Sequence, residues 1–237
     1  MILLDLFCGR WGWSRAFARR GWRCIGVDLT KPPEIPERCE WIEQNILRFW
    51  VESEVIHYND AQGFTHHIWA DAIVASPPCE EFSVHGMKHF HPHPKYPAHG
   101  IGLFEHTRAL CEASGLPYVI ENVRAAQQFV GRSTCNAGPF YLWHNFGSFP
   151  LRFGKAFGLP RGIKKGFQTG GSIIQKLKCV DRQALTDYRR QNDGSWSSSK
   201  SAKRKEWTAK VATIPPELAN CVAEFMERIL EKQEVLA

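Results

Sequence analysis

Apolar positions along the chain fall in short runs that end on glycine, proline or an acid, and the runs follow a regular order. Ile2–Phe7 is apolar apart from Asp5, meets Gly9 and Gly12, and leads into Ser14–Arg20, a helical stretch that stops at Gly21. Arg23–Val27 is the next run and ends at Asp28. This pattern predicts a strand, a glycine-containing turn, a helix and a second strand that ends on an acid. Ala72–Ala75 predicts a buried strand that runs into Ser76-Pro77-Pro78-Cys79, and Ile101–Ser114 predicts a helix that passes through Gly115 to a strand over Tyr118–Ile120, ending at Glu121-Asn122. Strands alternating with helices predict an α/β fold with a doubly wound, mainly parallel sheet, whose ligands gather at the carboxyl ends of its strands. Asp5, Asp28, Cys79 and Glu121 all fall at or near such ends. From about residue 145 to 212 the pattern dissolves into Gly, Ser and basic residues. Order returns in a helix after Pro215-Pro216, with Leu218, Val222, Phe225 and Ile229 on one face, expected to pack on the core. The expected organisation is therefore a core of residues 1–144 plus 212–237, and a small separate lobe of residues 145–211.

Composition sharpens this division. The 237 residues are 43% hydrophobic and 23% charged, a globular balance of one-domain size, with a net charge of +6. Residues 151–210 hold 15 basic and four acidic residues, so a segment of +11 accompanies a body of −5. A basic lobe on a mildly acidic body suggests a polyanion partner, although a solvated basic face has the same composition. No run approaches the roughly 18 apolar residues of a membrane span, and Asp5 interrupts the apolar start, so a soluble, unexported protein without membrane contact is expected. The eight cysteines show no C-x-x-C spacing, which reads as reduced thiols and not as a structural zinc site.

Cys79 stands apart from the other seven. Pro77-Pro78 restrict the backbone ahead of it and would aim its thiol rigidly, although free cysteine is also a common buried residue. Leu4–Gly12 (LDLFCGRWG), Ala75–Ser83 (ASPPCEEFS) and Ile120–Val123 (IENV), in this order, resemble the cytosine-C5 DNA methyltransferase family, with its D-L-F-x-G-x-G-G, P-C-Q-x-F-S and E-N-V motifs. Gln44-Asn45-Ile46 stands where the family has an Asp-Ile pair, and Ala219-Asn220-Cys221-Val222 is similar to its C-terminal G-N-S-V segment, which returns beside the first strand to close the cofactor pocket.

The resemblance implies a Rossmann-like S-adenosylmethionine-dependent methyltransferase core with a small basic target-recognition lobe, acting as a monomer on double-stranded DNA in the cytoplasm of a bacterial or phage-infected cell. The implied cofactor is S-adenosyl-L-methionine, held by Asp5, Phe7, Gly9, Trp11, Gly12, Asp28, Leu29, Asn45, Pro77, Asn220 and Val222. Cys79 would add to C6 of cytosine, because C5 of the aromatic ring is too weak a nucleophile until a thiolate has added. Glu121 would protonate or hydrogen-bond N3. The target base would have to leave the stack, and Val84–Gly100 would close over it. Ser83, His85 and Lys88, with Lys203, Arg204 and Lys205 in the basic lobe, are the expected DNA contacts.

The chain also departs from the family. Trp11 replaces the second glycine of the cofactor turn; its indole either reshapes the pocket, which would admit an altered cofactor, or turns into the core. Glu80 replaces the glutamine after the cysteine. The family's Gln-x-Arg-x-Arg segment is not visible, which leaves Arg132 and Arg124 as candidates for the cytosine O2 contact; for either, a surface phosphate contact is the alternative. Half of the ten histidines lie in residues 85–99; they face DNA or bind a transition metal, and their proline-interrupted spacing argues against the metal. A recognition region this short predicts a short or relaxed target sequence. The alternatives to DNA methylation are the same covalent chemistry with a modified cofactor or on RNA, and a non-catalytic DNA-binding relative.

Overall fold

Ile2–Leu6 (β1) is buried from Leu3 onward because it lies at the middle of a parallel sheet covered on both faces. In the computed structural model, which describes residues 1–82, 97–147 and 213–236, β1 is followed by the helix α1 (Ser14–Arg19), β2 (Arg23–Asp28) and β3 (Cys39–Glu43). A small antiparallel sheet of β4 (Phe49–Glu52), β5 (Val55–Asn59) and β6 (Thr65–Ile68) comes next, and then β7 (Ala72–Ala75). The helix α2 (Ala98–Ser114) leads to β8 (Tyr118–Asn122), the one-turn α3 (Gln127–Val130), and the hairpin of β9 (Cys135–Ala137) and β10 (Phe140–His144). The helix α4 (Pro216–Leu236) follows at the C-terminal end. Met1–Leu151 and Ile214–Ala237 group into one compact unit.

The main sheet has the order β3-β2-β1-β7-β8-β10-β9. Pairing is parallel from β3 through β8, and β10 runs antiparallel to both of its neighbours. Successive strands proceed outward from β1 in one direction and from β7 in the other, so the order reverses between β1 and β7. This is the doubly wound, Rossmann-like architecture, and the reversal opens a crevice at the carboxyl ends of those two strands.

Side-chain alternation assigns the two faces. Leu4 and Leu6 join a core with Ile25, Val27, Phe49, Ile56, Leu103 and Phe104, on the side of α2 and the small sheet. Asp5 points the other way, toward Ser14 of α1. α2 buries Leu103, Phe104, Thr107, Leu110, Cys111 and Ser114, at the three- and four-residue spacing of one helical face. It stops at Gly115, whose φ of 67° is the left-handed conformation that suits a helix end.

α4 packs on α1. Arg20 forms a two-pronged ion pair with Glu227, and Trp22 Nε1 donates to the same carboxylate at 2.9 Å. The buried stripe of α4 is Leu218, Ala219, Val222, Ala223 and Met226; Phe225 and Ile229 are only half-buried, so the face is rotated from the one predicted. The strands β1, β2, β7 and β8 and the helices α1 and α2 lie where the apolar runs predict them, with α2 starting at Ala98 and β8 continuing through Asn122.

Candidate active site

The turn after β1 enters the crevice with two non-glycine residues in the left-handed region, Phe7 at φ 61° and Trp11 at φ 62°, and with Gly9 between them at φ 48°. Its backbone is fastened to β2: Cys8 N donates to Val27 O at 3.1 Å, and Gly9 N donates to Asp28 Oδ2 at 3.0 Å. The other oxygen of Asp28 accepts from Thr30 N at 2.9 Å. Asp28 therefore holds the turn, and each of its oxygens keeps a lone pair for a further donor.

Trp11 is fully buried, and its indole lies against the backbone of β2. A Cβ placed on Gly26 would sit 2.2 Å from Trp11 Cζ3 and 2.8 Å from Cys8 Sγ, so only glycine permits this approach. Trp11 Nε1 donates to Glu34 O at 2.9 Å. The indole is turned into the core, and its side chain does not line the open crevice. The backbone at Trp11 is in the left-handed region that glycine adopts most readily.

Asp5 is likewise not a lining residue, being 1% exposed on the α1 face of the sheet. Ser14 Oγ donates to its Oδ2 at 2.5 Å, while Oδ1 has no hydrogen-bond partner. Burial pushes its carboxyl up to about 7, the Ser14 bond offsets part of that rise, and the charge of Asp28 adds to it. Burial also pushes the Cys8 thiol far up, with the Asp5 and Asp28 charges adding to the rise, so Cys8 is a poor nucleophile.

On the other side of the crevice, β7 runs into Ser76-Pro77-Pro78-Cys79. Ser76 N donates to Leu6 O at 3.1 Å, continuing the pairing with β1. Trp13 Nε1, from the start of α1, donates to Ser76 Oγ at 3.0 Å. Pro77 is buried, and its carbonyl accepts from Asn122 Nδ2 at 3.0 Å. Cys79 is half-buried, immediately before a helical turn that begins at Glu80. Glu121 follows Ile120, the partner of Ala75 in the parallel β7–β8 pair, and is also half-buried. Cys79 and Glu121 thus leave neighbouring strands at the same end, and Asn122 ties the two segments together.

Asn45 stands just beyond the carboxyl end of β3, two residues past Glu43, the register partner of Asp28. Its Oδ1 caps the following turn by accepting from Leu47 N at 3.0 Å. Phe7 and Gly12 are half-buried and Leu29 is exposed. Arg124 and Arg132 are both exposed, Arg124 in the one-turn 3-10 helix after β8 and Arg132 in the loop before β9. Val222 is fully buried and Asn220 exposed on α4, which packs on α1. Ser83, His85, Lys88, Lys203, Arg204 and Lys205, with the rest of the closing segment up to residue 96 and the basic lobe, lie outside the described residues.

Three residues that hold the site were not singled out from the sequence. Trp13 and Ser76 carried no signal, since neither their spacing nor their types announce a contact. Asn122 was visible inside the E-N-V motif but without a role. A third link, Gly100 N to Glu81 Oε2 at 2.7 Å, fixes the start of α2 beside the helical turn after Cys79. It joins the two ends of segment 83–96 and gives the helix amino terminus an acidic partner.

No family model matches the chain, and no curated protein matches it in sequence. Among solved structures, it is similar to the 1,6-didemethyltoxoflavin-N1-methyltransferase of Burkholderia thailandensis, determined with bound 1,6-didemethyltoxoflavin and S-adenosylhomocysteine. The likeness covers 61% of this chain and 53% of that one, at 17% identity and a TM-score of 0.30, so the chain spans about half the length of that structure.

Proposed function

We propose that the chain methylates C5 of cytosine in DNA, with S-adenosylmethionine as methyl donor and Cys79 as a transient covalent nucleophile. The observation that carries this reading is the pairing of two segments across the switch point. A turn held by Asp28 follows β1, a Pro-Pro-Cys segment follows β7, and Trp13 Nε1 to Ser76 Oγ at 3.0 Å links them.

The residues present suit the cofactor. Asp28 has spare acceptor capacity at the end of β2, where ribose hydroxyls are bound in this type of sheet. Phe7, Leu29 and Asn45 stand near the same strand ends. S-adenosylmethionine supplies an electrophilic methyl group, which C5 of the activated ring takes up.

The protein's own groups perform the remaining steps. The Cys79 thiolate forms a bond to C6, and the ring's electron pair moves toward N3, where Glu121 donates its proton or a hydrogen bond. Transfer of the C5 proton to water then expels the Cys79 thiolate by breaking the S–C6 bond, N3 returns to Glu121 any proton it took, and the ring is aromatic again. The target base must be extruded to expose C6, because a stacked ring covers it.

The test is incubation with S-adenosylmethionine and unmethylated DNA, digestion to nucleosides and mass spectrometry. The wild type should form 5-methylcytosine and Cys79→Ser none. Absence of product, or equal product from both proteins, overturns the proposal. DNA containing 5-fluorocytosine should trap a covalent adduct that Cys79→Ala abolishes.

A further inference from the structure

The small sheet β4–β5–β6 presents its apolar side, with Phe49, Ile56 and Ile68, to the core. Its other side carries Trp50, His57 and His67, and the Trp69 ring extends this row. His57 and His67 are directly opposite each other in the antiparallel register. Their Nδ1 atoms are 2.7 Å apart, with the rings nearly perpendicular at 86°. Trp50 stacks on His57 at 5.5 Å between centroids, and Trp69 lies 5.9 Å from His67.

The tautomers follow from one contact. His57 Nε2 is 3.2 Å from the carbonyl oxygen of Glu52, which can only accept. The proton of a neutral His57 ring is therefore on Nε2, and its Nδ1 lone pair faces His67, whose Nδ1–H donates to it. An imidazole held by a backbone carbonyl at one nitrogen, so that the other presents its lone pair, is the usual arrangement of a metal-ligating histidine.

We propose that His57 and His67 chelate a borderline divalent transition metal through their two Nδ1 atoms. For metal–imidazole bonds of about 2.0–2.1 Å, two nitrogens in cis positions stand about 2.9 Å apart, close to the separation present. The proton on His67 Nδ1 transfers to its own Nε2 through solvent, so each ring keeps one N–H and neutral rings release no net proton. Among the described residues no group of three or more His, Cys, Asp or Glu is placed to hold a metal. Water therefore completes the coordination, and the site favours Cu²⁺ over Ni²⁺ and Zn²⁺, the order expected for two imidazoles in an open geometry. The chelate bridges β5 and β6 on the outward side of the small sheet and is independent of the methyl-transfer reading.

The two tryptophans provide a readout local to this sheet. In two-dimensional NMR of the ¹⁵N-labelled full chain at pH 7.5, Trp→Phe variants assign the indole N–H signals of Trp50 and Trp69. Substoichiometric Cu²⁺ should broaden these two signals before that of Trp22, which is buried against α4, and EDTA should restore them. His67→Gln, at an exposed position, should abolish the selective broadening, as should His57→Gln. Selective broadening that persists in both variants overturns the proposal. So does broadening of Trp50 and Trp69 no earlier than that of Trp22.

Discussion

Asn122 Nδ2 lies 3.0 Å from the carbonyl oxygen of Pro77, a buried hydrogen bond between residues 45 positions apart. Asn122 Oδ1 also accepts from Val123 N at 2.8 Å, so the amide is fixed at both ends. The bond joins the segment that carries Glu121 to the one that carries Cys79. Glu121 and Asn122 also pair with Leu142 and Tyr141 of β10, whereas Pro77 lies past the end of β7.

Asn122→Ala should therefore leave the Pro77 carbonyl buried without a donor and destabilise the fold by about 1–3 kcal/mol. On the proposed function, 5-methylcytosine formation should fall further than cofactor affinity, since the Asp28 side of the crevice is untouched. Thermal unfolding, cofactor titration and product analysis on the same variant measure the three effects.

Asp5 makes apo stability depend on pH in a defined direction. Burial raises its carboxyl from 3.8 to about 7. Folding therefore favours the protonated form, and this contribution is complete below about pH 4 and lost as pH rises through 7. A difference of this size is worth at most about 4 kcal/mol. Asp5→Asn should unfold at a higher temperature than the wild type above pH 7 and should flatten the pH dependence between 4 and 7.

Gly26 and Trp11 should behave as one packing unit. Gly26→Ala places a methyl group 2.2 Å from the indole and should cost about 1–3 kcal/mol or more through overpacking. Trp11→Gly relaxes the left-handed backbone but empties a buried site, at a cost of about 3–5 kcal/mol. The double variant should be more stable than the sum of the single losses implies, because each change removes the other's clash or void. A denaturant double-mutant cycle measures this coupling.

Glu227 should control the acid limb of unfolding. Its hydrogen bonds with Arg20, and secondarily with Trp22, hold its carboxyl below the usual value although partial burial opposes this. The stabilisation is present above the unfolded-state pKa and is lost as pH falls through the lower folded-state one. Glu227→Gln should cost about 2 kcal/mol at neutral pH, with a smaller difference from wild type at pH 3. Thermal unfolding at both pH values checks this.

The legible elements were those whose pattern has one cause. β1, β2, β7 and β8 are covered by protein on both faces, so their residues read as continuous apolar runs. β3, with Glu40 and Glu43 among half-buried neighbours, and the short β9 gave no such run. β4–β6 alternate apolar residues with Trp and His, because one side meets the core and the other forms the aromatic and imidazole row. The candidate nucleophile and acid could be located because Pro77-Pro78 and the strand ends mark them locally. The links Trp13–Ser76, Asn122–Pro77 and Glu81–Gly100 could not, since the partners in each pair are 63, 45 and 19 positions apart and belong to different elements.

Local order alone thus settled the alternation of strands and helices and the strand ends at which Asp28, Cys79 and Glu121 stand, because burial on both faces and glycine or proline breaks act over a few residues. The orientation of Trp11, the closed environment of Asp5 and the meeting of His57 with His67 depended on the folded chain. Each requires atoms from distant segments to occupy one space: an indole needs a glycine beneath it, a carboxyl needs a helix over it, and two imidazoles need a strand register.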